Sequence, residues 1–169
     1  MHEVPVTALL AQAERALSGD RGRLVVVALR LLLAAIFVFA AVPKLLDPVS
    51  FARDIDNYRL LPDAAIGPLA LALPVAELVV GAALLTGLYA RGAALVCGAM
   101  LLAFSAGMVQ AIVRGIDLDC GCFGQVAEAQ VSGWTVGRNL FLLACALCVA
   151  LGPDMPFWPL ARQRAPWRQ

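Results

Sequence analysis

Residues 24–42 read LVVVALRLLLAAIFVFAAV, an apolar run that a single charge, Arg30, interrupts. A helix needs about 20 such residues to cross a hydrocarbon core roughly 30 Å thick. Since lipid offers the backbone no hydrogen-bonding partner, a segment that crosses it must pair its own amide and carbonyl groups. The run is therefore predicted to be a transmembrane helix.

Three further apolar runs have the same character and occupy residues 66–88, 90–113 and 134–151. The chain is 62% apolar and 15% charged, whereas soluble domains average about 45–50% apolar and 25% charged residues. We expect an all-α, polytopic membrane protein, a four-helix bundle over residues 23–152. Residues 1–22 and 153–169 then form a cytoplasmic N-terminal segment and a cytoplasmic C-terminal tail.

The N-terminal segment carries apolar residues at helical spacing, namely Val6, Leu9, Leu10, Ala13 and Leu17. This pattern favours a short amphipathic helix on the inner membrane surface, and a disordered tail with a few leucines is the alternative. The only histidine of the sequence, His2, also lies here, so histidine-based catalysis and a histidine-built metal site are not expected. A net charge of +1 without a basic stripe argues against nucleic acid as a partner.

The basic residues of the short loops predict the orientation, because Lys and Arg favour the cytoplasmic side. Seven lie on one side of the membrane: Arg15, Arg21, Arg23, Arg91, Arg162, Arg164 and Arg168. Five lie on the other: Lys44, Arg53, Arg59, Arg114 and Arg138. We therefore expect a multi-pass inner-membrane protein with both termini in the cytoplasm and the loop after the third helix outside.

That loop contains Asp119-Cys120-Gly121-Cys122-Phe123-Gly124. Disulfides persist in an extracytoplasmic compartment, and Gly121 gives the backbone the freedom that so small a disulfide ring needs. A strained disulfide is labile and suits exchange with a partner protein. A structural disulfide and a metal site are the alternatives, although a ring this small removes little chain entropy and two thiolates do not complete a tetrahedral zinc site.

Three further cysteines, Cys97, Cys145 and Cys148, lie within the third and fourth runs. The C-x-x-C spacing of the last two is compatible with a second redox pair. All three, however, fall in the inner half of the bundle, more than about 15 Å from the outer loop at 1.5 Å rise per residue. Because cysteine packs well as a small apolar side chain, we interpret them as packing residues.

Ionisable residues inside the runs are informative, because a charge in a membrane span is costly unless it is paired. Glu77 lies near the middle of the second run, and Arg30 lies about 6 Å from the midplane in the first. We predict an Arg30–Glu77 contact, which is either a buried ion pair that fixes helix register or a site for a proton or a quinone headgroup. Arg138 and Asn139 are predicted near the cysteine loop, where Arg138 either snorkels to the interface or stabilises a thiolate.

Other short motifs accompany these residues. They are Lys44 after Ala-Val-Pro, Asp47-Pro48, YRLLP at residues 58–62, LPVAEL at residues 73–78 with Gly81, and Arg138-Asn139. Together with the Cys-Gly-Cys-Phe-Gly segment, they make the sequence from about residue 30 to residue 151 resemble the methylamine utilisation MauE family, within the wider DoxX-like membrane proteins.

The resemblance implies a four-helix membrane protein that supports the maturation of methylamine dehydrogenase, whose small subunit acquires disulfides and a tryptophan-derived quinone cofactor. It also implies a thioredoxin-like partner. Carried over to this sequence, Cys120 and Cys122 are the catalytic redox pair. The supporting residues are Lys44, Glu77, Asp119, Arg138 and Asn139.

The resulting hypothesis is a thiol–disulfide oxidoreductase in the lipid bilayer. A thiolate of Cys120 or Cys122 forms a mixed disulfide with an extracytoplasmic thioredoxin-like protein, and the neighbouring thiol resolves it. Electrons then pass to or from a lipid-soluble carrier, for which we expect a quinone between the helices, although no motif identifies its site. The alternative is a non-enzymatic assembly factor that recruits a thioredoxin-like partner, and a solute transporter is disfavoured because no inverted repeat is visible.

Overall fold

The structure, a computed structural model, describes residues 19–115 and 133–152. These ranges contain five helices and no strand, and the helices are α1 (Asp20–Leu46), α2 (Pro48–Asn57), α3 (Asp63–Thr86), α4 (Ala90–Val113) and α5 (Gly133–Leu151). All but α2 are long and apolar enough to cross a membrane. The predicted all-α, polytopic fold with four spans is confirmed. The predicted N-terminal amphipathic helix falls mostly on residues 1–18, outside the described residues.

Helix α1 is longer than the apolar run that predicts it. It begins at Asp20, where the Arg23 amide donates to the Gly19 carbonyl at 2.8 Å, and it continues through Pro43 to Leu46. The extension matters because it makes Lys44 part of the last helical turn. Residues 37, 40, 41 and 44 share one helical face, and all four are buried. Lys44 therefore points into the bundle.

Helices α1 and α3 pack closely in antiparallel orientation. A Cβ atom added at Gly81 would lie 2.8 Å from Val38 Cγ2 and 3.3 Å from the Ala34 carbonyl oxygen, so glycine is needed for the approach. Small residues allow such close backbone contact between membrane helices. Glu77, one turn before Gly81 in α3, consequently lies beside the later part of α1.

Helices α4 and α5 form the second closely packed pair. At one end of the bundle, Arg91 Nε donates to the Gly152 carbonyl at 3.1 Å, which ties the start of α4 to the end of α5. The core between the two pairs is built mainly from aliphatic side chains, together with Phe37 and two cysteines. Its most buried members include Leu33, Ala34, Leu84, Ala94, Cys97 and Ala146.

Helix α2 lies across the other end of the bundle, where α1 and α4 end and α3 and α5 begin; we call this the α2 end. Asp47 caps α2 by accepting a hydrogen bond from the Ser50 amide at 3.0 Å, and Pro48 occupies the first turn, where its missing N–H is not needed. The hydrogen bond from the Ser50 backbone lowers the pKa of Asp47, with a further contribution from the Ser50 side chain. Phe51 is buried and fixes α2 on the bundle.

Candidate functional site

A buried ion pair lies near the α2 end of the bundle. Lys44 Nζ of α1 donates to Glu77 Oε1 of α3 at 2.6 Å. Each side chain is 3% exposed, so water does not screen the pair. Two opposite charges at this distance and burial interact strongly, because the local dielectric constant is far below that of water.

Aromatic rings surround the lysine. The Nζ atom lies 5.0 Å from the ring centre of Phe51 and 5.6 Å from that of Phe104. Both distances are within the range of a cation–π contact, in which the negative face of the ring attracts the ammonium group. Lys44 thus links α1 to α3 through Glu77, to α2 through Phe51 and to α4 through Phe104.

The predicted Arg30–Glu77 ion pair is wrong, since Lys44 takes the place assigned to Arg30. Arg30 and Lys44 lie on the same helix, separated by about 21 Å at 1.5 Å rise per residue. The antiparallel register that Gly81 permits sets Glu77 beside the end of α1 that carries Lys44. Arg30 is itself buried, at 2% exposure, in the opposite half of the bundle.

A cavity of about 380 Å³ opens beside the ion pair. Its walls come from all five helices and from residues 58–61, and they are mostly aliphatic and aromatic. The lining includes Ile36, Phe37, Phe51, Ile55, Leu69, Leu73, Leu101, Phe104, Met108 and Leu142. Its polar members are Lys44, Asp54, Tyr58, Glu77, Arg138 and Asn139. A volume of this size is typical of a small-molecule pocket.

Two of the predicted supporting residues come from α5. Arg138 and Asn139 both line the cavity, and Asn139 is buried at 4% exposure. The structure therefore brings four of the predicted residues to one cavity, since Lys44 and Glu77 form its ion pair. The snorkelling and thiolate-stabilising interpretations of Arg138 both remain predictions.

Comparison with known proteins connects this arrangement to a family. The sequence matches the family described as Methylamine utilisation protein MauE over residues 22–152. The chain belongs to this family. It is 42% identical to Methylamine utilization protein MauE of Paracoccus denitrificans over 126 residues, which cover 74% of this chain and 68% of that relative.

Two other MauE proteins are similar to the chain. The protein of Paracoccus versutus is 41% identical over 124 residues, covering 73% of this chain and 67% of the relative. That of Methylorubrum extorquens is 32% identical over 122 residues, covering 72% and 66%. No solved structure matches the chain.

The predicted redox pair of this MauE-family member, Cys120 and Cys122, lies outside the described residues, as does Asp119. The flanking residues are described: Gly115 follows α4, and Gly133 is the first residue of α5. Both positions belong to the α2 end. Arg114 Nη1 donates to the carbonyls of Tyr58 and Arg59, at 3.3 Å and 3.4 Å, which ties the end of α4 to the cavity wall.

The helical cysteines have the surroundings of packing residues. Cys97 is fully buried and Cys145 is 5% exposed, and both belong to the apolar core. Cys148 is half-buried, and all three are free thiols. Within residues 19–115 and 133–152, no three histidine, cysteine or acidic side chains are grouped so that they could hold a metal ion.

Sequence reasoning missed the part of the site that surrounds the lysine. Phe104 was not singled out, although it lies over Lys44 and lines the cavity. No local pattern marks it, because α4 is apolar on all sides and many of its side chains could face lipid. Phe51 differs from Phe104, because the sequence predicts Phe51, Ile55 and Leu60 on one face of a short helix along the mouth of the bundle, and Phe51 lies on such a helix.

Proposed function

We propose that this membrane protein takes part in methylamine utilisation by thiol–disulfide exchange through Cys120 and Cys122. The exchange supports disulfide or cofactor formation in extracytoplasmic proteins, and methylamine dehydrogenase is the client that the family resemblance suggests. Support comes from membership of the MauE family and from the names of the relatives. The partner that carries the exchange is a thioredoxin-like protein.

The observation that carries the proposal is the position of the helix ends next to the cavity. Residues 116–132 connect Gly115 to Gly133, and both of these lie at the α2 end. Cys120 is five residues beyond Gly115, so chain geometry limits the distance between their Cα atoms to about 18 Å. The thiols are therefore tethered to the end of the bundle that holds the ion pair and the cavity.

The orientation of the bundle is part of the proposal. The α2 end faces the extracytoplasmic side of the inner membrane, and both termini lie in the cytoplasm. The distribution of basic residues supports this orientation, because seven flank one side and five the other. An oxidising compartment outside the membrane allows the cysteine pair to cycle between thiol and disulfide.

The exchange itself needs no metal. A thiolate of one protein attacks a disulfide sulfur of the other, a mixed disulfide forms, and the second thiolate releases it, so that one disulfide is reduced as the other is formed. The relative reduction potentials of the pair and its partner set the direction. Arg138 supplies a cation at the cavity, and a cation near a thiol favours its reactive thiolate form.

The cavity fits a lipid-soluble carrier by its size and its apolar walls. Lys44, Glu77 and Asn139 would provide the polar contacts to its ring. A quinone bound there would supply a two-electron, two-proton redox couple to the cysteine pair.

Cysteine substitutions test the exchange. In a host that lacks its own MauE, C120S and C122S should each abolish growth on methylamine, and one of the two should accumulate a mixed disulfide with a partner that reductant releases. Alkylation-shift analysis should show that the redox state of the wild-type pair changes when respiration is inhibited. C148S is the matched control, because Cys148 is a free, half-buried thiol of α5; it should support growth like the wild type.

The same growth experiment distinguishes thiol–disulfide exchange from the role of a non-enzymatic assembly factor. If the protein with both Cys120 and Cys122 replaced by serine supports normal growth, the cysteines are dispensable and the protein acts as a non-enzymatic assembly factor. A pair that stays fully oxidised under all conditions would also contradict exchange.

A further inference from the structure

Two of the residues that line the cavity each carry a buried polar atom without a hydrogen-bonding partner among the described residues. The atoms are Glu77 Oε2 and Asn139 Nδ2. The residues are 2% and 4% exposed, and both line the cavity. Buried polar groups are nearly always satisfied in folded proteins, since an unmet hydrogen bond is costly at low dielectric constant. The two atoms therefore indicate a missing hydrogen-bonding partner.

The chemistry of these atoms defines what that partner must offer. Glu77 forms an ion pair with Lys44 through Oε1, so its second oxygen is a carboxylate oxygen that can only accept a hydrogen bond. The Asn139 amide nitrogen can only donate. A matching ligand carries at least one donor and at least one acceptor, and a hydroxyl group provides both.

The rest of the cavity defines the body of the ligand. The walls next to the polar atoms include Phe104 and Phe51, with Leu73, Leu101 and Leu142. Water satisfies the two polar atoms but gains nothing from this apolar lining, whereas a flat or aliphatic organic molecule buries its surface against it. The volume of about 380 Å³ accommodates a single ring with part of a tail.

We propose that the cavity binds a lipid-soluble hydroquinone and prefers it to the corresponding quinone. A hydroxyl group donates to Glu77 Oε2, and a ligand oxygen accepts from Asn139 Nδ2. The oxidised ring has acceptors only, so it satisfies Asn139 and leaves the carboxylate oxygen without a partner. The inference rests on the proposed function for its choice of a redox carrier, and it requires neither cysteine.

Direct binding tests the preference. The full-length protein carrying C120S and C122S, which removes thiol chemistry, is placed in phosphatidylcholine nanodiscs and titrated anaerobically by calorimetry. The probes are decyl-benzohydroquinone, decyl-benzoquinone and the dimethyl ether of the hydroquinone. We expect saturable binding of the hydroquinone about tenfold or more tightly than the quinone, the factor that a hydrogen bond to a charged group provides. The dimethyl ether, which cannot donate, should bind no more tightly than the quinone.

Variants assign the two contacts. N139L removes a donor that has no partner among the described residues, so it should fold normally and weaken the binding of both oxidation states. E77Q should reduce the difference in affinity between the hydroquinone and the quinone, because an amide replaces the carboxylate that accepts the hydrogen bond from the hydroxyl group. S105A is the control: Ser105 is buried in α4, bonds the Leu101 carbonyl at 2.8 Å and is not part of the cavity wall. It should leave all affinities unchanged.

Several results would overturn the inference. Equal affinity for the three probes would show that Glu77 does not accept a hydrogen bond from the ligand. Unchanged affinity in N139L would show that Asn139 does not donate one. The absence of saturable binding, or a co-purified phospholipid that the hydroquinone does not displace, shows that water or lipid fills the cavity. Because the thiols are absent from this assay, its failure leaves thiol–disulfide exchange standing, and binding would survive the failure of exchange in cells.

Discussion

Replacing either Lys44 or Glu77 by an apolar residue should destabilise the bundle more than any other single substitution of a polar residue near the cavity. Lys44 Nζ lies 2.6 Å from Glu77 Oε1, and each side chain is 3% exposed. The lysine also contacts two aromatic rings. Removing one member of such a buried pair costs about 3–5 kcal/mol, because the other charge remains without compensation. K44M and E77L should each lower the free energy of unfolding by about this amount.

Replacing both residues should be less harmful than replacing either one. The double variant K44M/E77L leaves neither charge of the pair, and its two apolar side chains together have a volume similar to that of the pair. Buried ion pairs replaced by well-packed apolar residues are often neutral in stability. We therefore expect the double variant to lose less stability than either single variant, which corresponds to a coupling free energy of about 3 kcal/mol or more between the two sites.

Steric trapping in bicelles measures this free energy without denaturing the lipid environment. S105A serves as the control for a buried polar group without charge, because its hydroxyl bonds within its own helix; its effect should stay within about 0.5 kcal/mol. If both single variants change stability by less than about 1 kcal/mol, or if their effects simply add in the double variant, the pair does not hold α1 and α3 together. The reasoning from burial and distance would then fail.

Two further predictions concern the helix contacts that shape the same end of the bundle. G81A should lower the free energy of unfolding by about 1–3 kcal/mol in the same assay, since its methyl group would lie 2.8 Å from Val38 Cγ2. G67A, on the same helix with open space around it, should not lower the free energy of unfolding, because alanine favours the helix; an equal loss in both variants would refute the close approach. The cap of α2 should weaken in acid, because the pKa of Asp47 is lower in the folded than in the unfolded protein. The stabilisation by the Asp47 carboxylate is therefore present above the unfolded pKa of about 3.9 and is lost as the pH falls through the folded pKa. Hydrogen exchange of α2, corrected for intrinsic rates, should show this loss in the wild type and not in D47N, whose uncharged cap persists; the same pH dependence in D47N would contradict the assignment.

The sequence was sufficient for the helices that cross the membrane and insufficient for their ends. Long apolar runs predict transmembrane helices because lipid offers no hydrogen-bonding partner. The backbone of such a run must therefore pair its own amide and carbonyl groups. Helix ends follow a different rule, since a helix continues into the interface as long as its backbone is hydrogen-bonded. Asp20 and Lys44 are polar residues beyond the apolar run, yet both lie within α1.

The partner of Glu77 could not be predicted from the same information. The centre of each run predicts the depth of its residues in the membrane, and by this measure Arg30 is the cation nearest to Glu77 within the apolar runs. The actual register depends on where α1 and α3 fit together, and the fit is set by Gly81 against Val38. Cationic residues at helix ends are usually assigned to the interface, so Lys44 gave no sign that it turns inward.

The location of Lys44 changes how it supports the proposed chemistry. A lysine that stabilises a thiolate needs an ammonium group that is free to approach the sulfur. Lys44 Nζ is instead held at 2.6 Å by Glu77, below the ring of Phe51, at a side-chain exposure of 3%. Moving it away would leave Glu77 without its counter-ion and break the contact to α2. The lysine therefore acts by shaping the cavity: it pairs with Glu77 Oε1 at the cavity wall, and it holds α2 across the end of the bundle through Phe51.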